Sequence, residues 1–227
     1  MESQLGLKDL SRLYLSRAEQ LKKTVQRKYW DPGKNLYADT EDKDVFSQHA
    51  NTLAILSGAV STDKATPLAT KMMADTSLVQ ASIYFKYYLH QAMIKSGLGN
   101  DYLSWLGKWR ENMQLGLTTW AETSDVSTSR SDCHAWGSSP NIEFYRTVLG
   151  IDSDAPGFSK IKIKPHLGSI EDISGEMPHP SGKITVKYKL QNGTWQTEIT
   201  IPDNTSGTFV WKNRDFALKG GRNTFKF

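Results

Sequence analysis

The densest run of residues able to do chemistry lies between Leu117 and Gly137, where Thr118-Thr119-Trp120-Ala121-Glu122 is followed by Ser129-Arg130-Ser131-Asp132-Cys133-His134-Ala135-Trp136. Glu122, Asp125, Asp132 and His134 can titrate, and Trp120 and Trp136 bracket them. A carboxylate beside indole faces suits carbohydrate chemistry: sugars lay their C–H faces on aromatic rings, while a desolvated carboxyl gives or takes a proton. The same residues have plainer readings. Glu122 can be a solvated loop acid, an N-cap, or the partner of Arg130; His134 can cap the following helix; Trp120 and Trp136 can be core residues.

The elements around this run divide into two kinds. In the first part, Leu7, Leu10, Tyr14, Ala18, Leu21 and Val25 recur at helical steps, and the pattern stops before Asp31-Pro32-Gly33, a turn by composition. Further helices are expected at about 46–56, at 63–74 with Pro67 near the first turn, at 101–113 and at 136–149. The segment 78–95 carries Val79, Ile83, Tyr84, Phe85, Tyr87, Tyr88, Leu89, Met93 and Ile94, which predicts one helix buried all round. After Ile151 the period changes from 3.6 to 2. Ile161 and Ile163 alternate with lysines, and Ile184, Val186, Tyr188 and Leu190 alternate with polar residues. Asn192-Gly193 reads as a two-residue hairpin turn, pairing Leu190 with Trp195, Tyr188 with Thr197, Val186 with Ile199 and Ile184 with Ile201, and placing Lys187 opposite Glu198 as a charged pair. Strands near 207–211 and 223–227 complete an antiparallel sandwich, with the boundary in 152–159 around Pro156-Gly157. The expected domains are therefore residues 1–152, helical, and 153–227, a β-sandwich.

Composition narrows the classes. The chain has 227 residues, 38% hydrophobic and 23% charged, so it can build a core. One cysteine, Cys133, excludes an intrachain disulfide framework, and no zinc-type spacing occurs. The formal charge of +4 is spread along the chain without basic blocks, which argues against nucleic acid as a partner. No apolar run approaches the roughly 18–20 residues of a membrane span, and the polar N-terminal stretch has no signal-peptide core, so no membrane is expected and the compartment stays open.

Four motifs, in order, resemble the C-terminal part of the α-L-rhamnosidases of glycoside hydrolase family 78. They are Phe46-Ser47-Gln48-His49-Ala50-Asn51, Thr118-Thr119-Trp120-Ala121-Glu122, Ser129 to Trp136, and Ile161-Lys162-Ile163-Lys164-Pro165-His166-Leu167-Gly168. Leu36-Tyr37-Ala38-Asp39 also resembles the segment that precedes the Ser-Gln-His helix in that family. The resemblance implies the C-terminal half of an (α/α)6 helical barrel followed by an antiparallel β-sandwich, and hydrolysis of terminal α-L-rhamnosides with inversion by two carboxylates. It places Glu122 on the general base and His134 on a substrate contact, with Trp136 and Trp120 beside them and Gln48 and His49 near the pocket. Ala121 stands where many members carry Trp, so Trp120 is shifted by one position.

The family's acidic motif that carries the general acid has no counterpart in residues 1–45. The chain is therefore expected to be the C-terminal portion of a larger enzyme with Met1 an added start, inactive alone, needing the N-terminal part as partner and a rhamnoside as substrate. Helix faces left uncovered by the absent half predict self-association. No cofactor or metal is called for. Two other readings stand beside this one: a carbohydrate-binding or structural module, and a helical-barrel glycosidase for a different sugar. A sugar-binding sandwich would show aromatics outward, whereas Tyr188, Trp195 and Trp211 fall mainly on the inward parity.

Overall fold

The computed structural model describes residues 2–227, so the expectation for Met1 lies outside the described residues. Packing divides the chain into a unit ending at Leu98 and a second unit, Gly99–Phe227.

The first unit opens with helix α1 (Lys8–Tyr29), followed by a short hairpin of β1 (Trp30–Asp31) and β2 (Leu36–Tyr37). The Asp31 carboxylate closes the turn by accepting from the backbone of Gly33 and Lys34. Helices α2 (Gln48–Ser57), α3 (Thr62–Ala74) and α4 (Lys86–Lys95) follow. Ser47 caps α2 by accepting from Ala50, and Gly58, at φ 74°, ends it in the left-handed conformation that a Cβ disfavours. Leu36, Ile55, Leu68, Met72, Ile83, Leu89 and Met93 fill the core. No residue of α1 is buried, and Leu10, Leu13, Tyr14, Leu15 and Leu21 are exposed along it. Its apolar stripe is thus uncovered among the described residues.

The continuous helix predicted over 78–95 is corrected. Only Lys86–Lys95 is α-helical, and Val79, Tyr84 and Tyr88 are exposed rather than buried. Tertiary pairing wins over local pattern here. Val79 donates its N–H to Phe46 and accepts from the Gln48 N–H, so neither group is free for a helical bond. The helices predicted at 101–113 and 136–149 are likewise broken. A 3₁₀ turn, Gly99–Trp105, precedes α5 (Gly107–Gln114). The later stretch is 3₁₀ at Ala135–Ser138, α6 (Ser139–Glu143), then a π turn, Phe144–Val148.

In the second unit the strands are β3 (Ile151–Ser153), β4 (Ile161–Ile163), β5 (Asp172–His179), β6 (Gly182–Gln191), β7 (Thr194–Trp211) and β8 (Arg214–Lys226). They form one sheet in the order β3-β4-β7-β6-β5, with β8 also on β7. The hairpin register is as the turn dictates, with Leu190 opposite Trp195, Tyr188 opposite Thr197 and Val186 opposite Ile199. The sheet is not wholly antiparallel, because β4 runs parallel to β7. Chain order explains it: β4 joins β7 across a long connection, which permits either direction.

Strand β7 is 18 residues long, and at about 3.3 Å per residue its ends would lie tens of ångströms apart if straight. Instead the rings of Trp195 and Trp211, near its two ends, are 5.5 Å apart. The ribbon of β7 and β8 folds over between Ile201 and Ser206, where its register shifts. Its near half pairs with β6 and its far half with β4, making two facing layers. Gly220 permits the bend, since a Cβ there would come within 1.9 Å of the Asp203 carbonyl. Ile151, Ile161, Ile163, Ile184, Tyr188, Ile199, Phe209 and Trp211 fill the space between, with Phe216, Phe225 and Phe227 against them. Tyr188 is fully buried with its hydroxyl on the Leu149 carbonyl, and Trp195 is partly buried, so these aromatics do face inward.

The residues before the sheet are fastened to it. Lys164 donates to Gly150 at 2.8 Å, and His166 donates its backbone N–H to Thr147 at 3.1 Å. A Cβ on Gly150 would meet the Lys164 backbone at 2.2 Å. This is why packing places residues 99–150 with the sheet, although the period of the sequence changes only at Ile151.

Candidate functional site

The loop between α5 and α6 is an ordered lattice of hydrogen bonds. Two stretches, 119–122 and 131–134, run side by side: Glu122 N donates to Ser131 O at 2.8 Å, and His134 N donates to Trp120 O at 2.8 Å. Thr119 Oγ1 donates to the Asp132 carbonyl. Ser129 acts from between, accepting from Glu122 N at 3.0 Å and donating to Ser131 O at 2.7 Å. The intervening residues turn on Asp125, whose carboxylate accepts from the N–H and hydroxyl of Ser127. From below, Trp109 Nε1 donates to the Gly137 carbonyl at 2.6 Å. Gly137 sits where a Cβ would lie 2.7 Å from Trp120 Cβ, so only glycine allows this approach.

This lattice brings Glu122, Trp120, His134 and Trp136 to one place. The Glu122 side chain is 18% exposed, while its partner Arg130 is 85% exposed. The guanidinium forks onto the carboxylate, Nε to Oε2 at 3.2 Å and a terminal nitrogen to Oε1. The plainer reading of Glu122, an ion pair with Arg130, is therefore realised in the structure. Hydrogen bonding from Arg130 holds the Glu122 carboxyl below its ordinary pKa against the opposing effect of burial, with the charges of Arg130 and His134 adding to it. Above acid pH Glu122 is a carboxylate, the form that takes a proton from water.

The rings of His134 and Trp136 meet edge to face at 6.0 Å. Trp136 is 70% exposed, which overturns its reading as a core residue. His134 stands at the N-cap position of the 3₁₀ turn without a side-chain capping bond, so the capping reading fails as well. Asp125 serves as a turn acceptor, and Asp132 contributes its carbonyl to the lattice. Cys133 is a free, exposed thiol. Among the described residues no group of three or more His, Cys, Asp or Glu side chains is placed to hold a metal ion, and no helix is long and apolar enough to cross a membrane.

Gln48 and His49 belong to the first unit. The Gln48 amide is buried and engaged at both ends, accepting from Ala81 N at 2.9 Å and donating to Met72 O at 3.4 Å. Gln48 thus fixes the turn before α4, and what it supplies is position. His49, next to it, is half-buried with its ring 4.3 Å from that of Phe85, which in turn meets Tyr88. The bracing by Ser129 and Ser131 has no sequence signal beyond small polar residues in a long loop, and that by Trp109 none beyond an indole within a predicted helix. Arg130 was legible only as a cation eight residues from Glu122.

Residues 150–224 match the family described as the bacterial alpha-L-rhamnosidase C-terminal domain. An alpha-L-rhamnosidase of Alteromonas sp. (strain LOR) is 37% identical over 68 residues, 30% of this chain and 7% of that protein. Among solved structures, the rhamnosidase of glycoside hydrolase family 78 from Bacillus sp. GL1 superposes with a TM-score of 0.81 at 21% identity, over 92% of this chain and 24% of its own. An alpha-L-rhamnosidase from Dictyoglumus thermophilum gives 0.83 at 18% identity, over 99% and 29%. That from Streptomyces avermitilis, solved with L-rhamnose, gives 0.77 at 15%, over 100% and 25%. The chain spans less than a third of the length of each of these proteins.

Proposed function

Starting from a chain that resembles the C-terminal portion of the α-L-rhamnosidases of glycoside hydrolase family 78, we propose that it carries the base side of an inverting glycosidase site that releases terminal α-L-rhamnose. The observation that supports this best is the Glu122 carboxylate, ionised and partly sheltered, in a braced loop that also presents His134, Trp120 and the exposed Trp136.

In an inverting mechanism a carboxylate deprotonates the water that attacks the anomeric carbon, while an acid about 6.5–9.5 Å away protonates the leaving oxygen. In this reading Glu122 takes the water proton once Arg130 swings off one carboxylate oxygen. The exposure of Arg130 leaves it room to do so. Trp120 and Trp136 offer aromatic surface to the C–H faces of the sugar, and His134 offers hydrogen bonds to its hydroxyls. The general acid comes from polypeptide N-terminal to this chain. The helices of residues 1–152 form part of an (α/α)6 barrel that this polypeptide completes, and residues 153–227 form a β-sandwich. By itself the chain does not hydrolyse rhamnosides. The uncovered leucines of α1 mark a face that the missing part would cover, or through which the chain alone self-associates.

The test is an aryl α-L-rhamnoside assay on the chain alone and on the enzyme extended N-terminally through a full barrel. Activity is expected only in the extended enzyme, with β-rhamnose as first product, and Glu122→Gln should lower kcat by about 10²–10⁴. Undiminished turnover in Glu122→Gln overturns the base assignment. An extended enzyme inert on rhamnosides shifts the reading to another sugar.

A further inference from the structure

The outward face of the near sheet layer carries a second candidate site, unconnected with the Glu122 loop. Side chains alternate across β6, β7 and β8, so Tyr188, Ile199 and Phe225 turn toward the core while Lys187, Lys189, Gln196, Thr224 and Lys226 turn away from it. The registers set these in cross-strand rows: Lys189, Gln196 and Lys226 in one, Lys187, Glu198 and Thr224 in the next. Together they line an open groove of about 680 Å³, within the size range of ligand sites.

The sequence places Lys187 opposite Glu198 and predicts a charged pair. The register is as predicted, but the pair is not made. Glu198 is held instead by Arg222 from the neighbouring strand at 2.7 Å, and Lys189 is held by Asp172 at 3.0 Å. Among the described residues, Lys187 and Lys226 have no carboxylate within ion-pair distance, and both are exposed. The groove therefore presents two free ammonium groups, spaced across the sheet, amid amide and hydroxyl side chains. Its one aromatic lining residue, Phe225, is partly buried with its ring packed on Phe209 and Phe216, which leaves little of the stacking surface that a neutral sugar or a nucleobase would use.

We propose that this groove binds an anionic glycan, a chain of sugars bearing carboxylates, with Lys187 and Lys226 meeting two acidic groups and Gln191, Gln196 and Thr224 the hydroxyls between them. The choice of a glycan over other polyanions rests on the function proposed above. In that setting the groove would hold an acidic polymer while the Glu122 site acts on its rhamnose ends.

The experiment is calorimetric titration of the chain with soluble polygalacturonate at low ionic strength, with dextran as the uncharged counterpart. Polygalacturonate should bind, dextran should not, and about 0.5 M salt should abolish binding. Lys187→Glu/Lys226→Glu should weaken binding at least about tenfold. Lys160→Glu/Lys212→Glu, an equal charge change outside the groove, should alter it by less than about twofold. If the first variant loses its thermal transition, Lys187→Gln/Lys226→Gln replaces it, with weakening of several-fold expected. Three results overturn the proposal: no binding of polygalacturonate, equal weakening by the two reversals, or equal affinity for single-stranded oligothymidylate. None of these depends on hydrolysis, so failure here and failure of the Glu122 reading are told apart.

Discussion

The β6–β7 hairpin and the Glu122 loop both bring two stretches of chain side by side, and they do so by different means. In the hairpin, repeating backbone bonds set the register and an apolar core on one face fixes which side chains turn inward. In the loop, a few backbone bonds are locked by side chains, Ser129 and Thr119 from within and Trp109 from below. The first arrangement tolerates change at any one polar residue, because the core enforces it. The second depends on individual hydrogen bonds, and in return it can hold a carboxylate, a histidine and an exposed indole where a packed core could not.

The sharpest way to break the contrast is at Phe209, fully buried and in ring contact with Trp211, Phe216, Phe225 and Phe227. Phe209→Ala should cost about 3–5 kcal/mol in denaturant unfolding of the sheet. A cost below about 1 kcal/mol would mean that the two layers repack without it. Trp109→Phe keeps the ring but removes the donor to Gly137, so a smaller loss of about 1–3 kcal/mol is expected. Amide exchange should rise in residues 119–137 while the hairpin is unchanged; unaltered exchange in the loop would show that the bond to Gly137 does not brace it.

The smallest effect on stability, and the most telling for the site, is at Arg130. Because Glu122 titrates below its ordinary value, the pair stabilises the folded chain above the unfolded-state pKa, and that contribution fades as pH falls through the folded-state value. Arg130→Ala should raise the Glu122 midpoint in a carboxyl ¹³C titration and leave the thermal midpoint at neutral pH nearly unchanged. An unmoved Glu122 midpoint would show that the fork does not persist in solution.

Legibility in the sequence followed the same division. Asn192-Gly193 and strict alternation placed the hairpin in register, because both signals are local and every second residue repeats them. Strand β5 was missed: it is an edge strand with Gly175 and Pro178 inside it and Ile173 and Met177 as its apolar inward residues, too sparse for an alternating pattern. The parallel pairing of β4 with β7 joins segments more than forty residues apart, which no window along the chain can reveal. At the site, the residue types gave Glu122, His134 and the two tryptophans, and the motifs gave their proposed roles. What fastens Glu122 to Arg130, and Gln48 to Ala81 and Met72, is geometry that folding creates.

The folded-over ribbon of β7 and β8 has a consequence for how the sheet comes apart. Each of these strands contributes to both layers, so neither layer is built only from strands of its own. Peeling β6 from one side exposes the same strand that carries β4 on the other. The two layers are therefore a single cooperative element, in which local opening at the bend propagates along both strands at once.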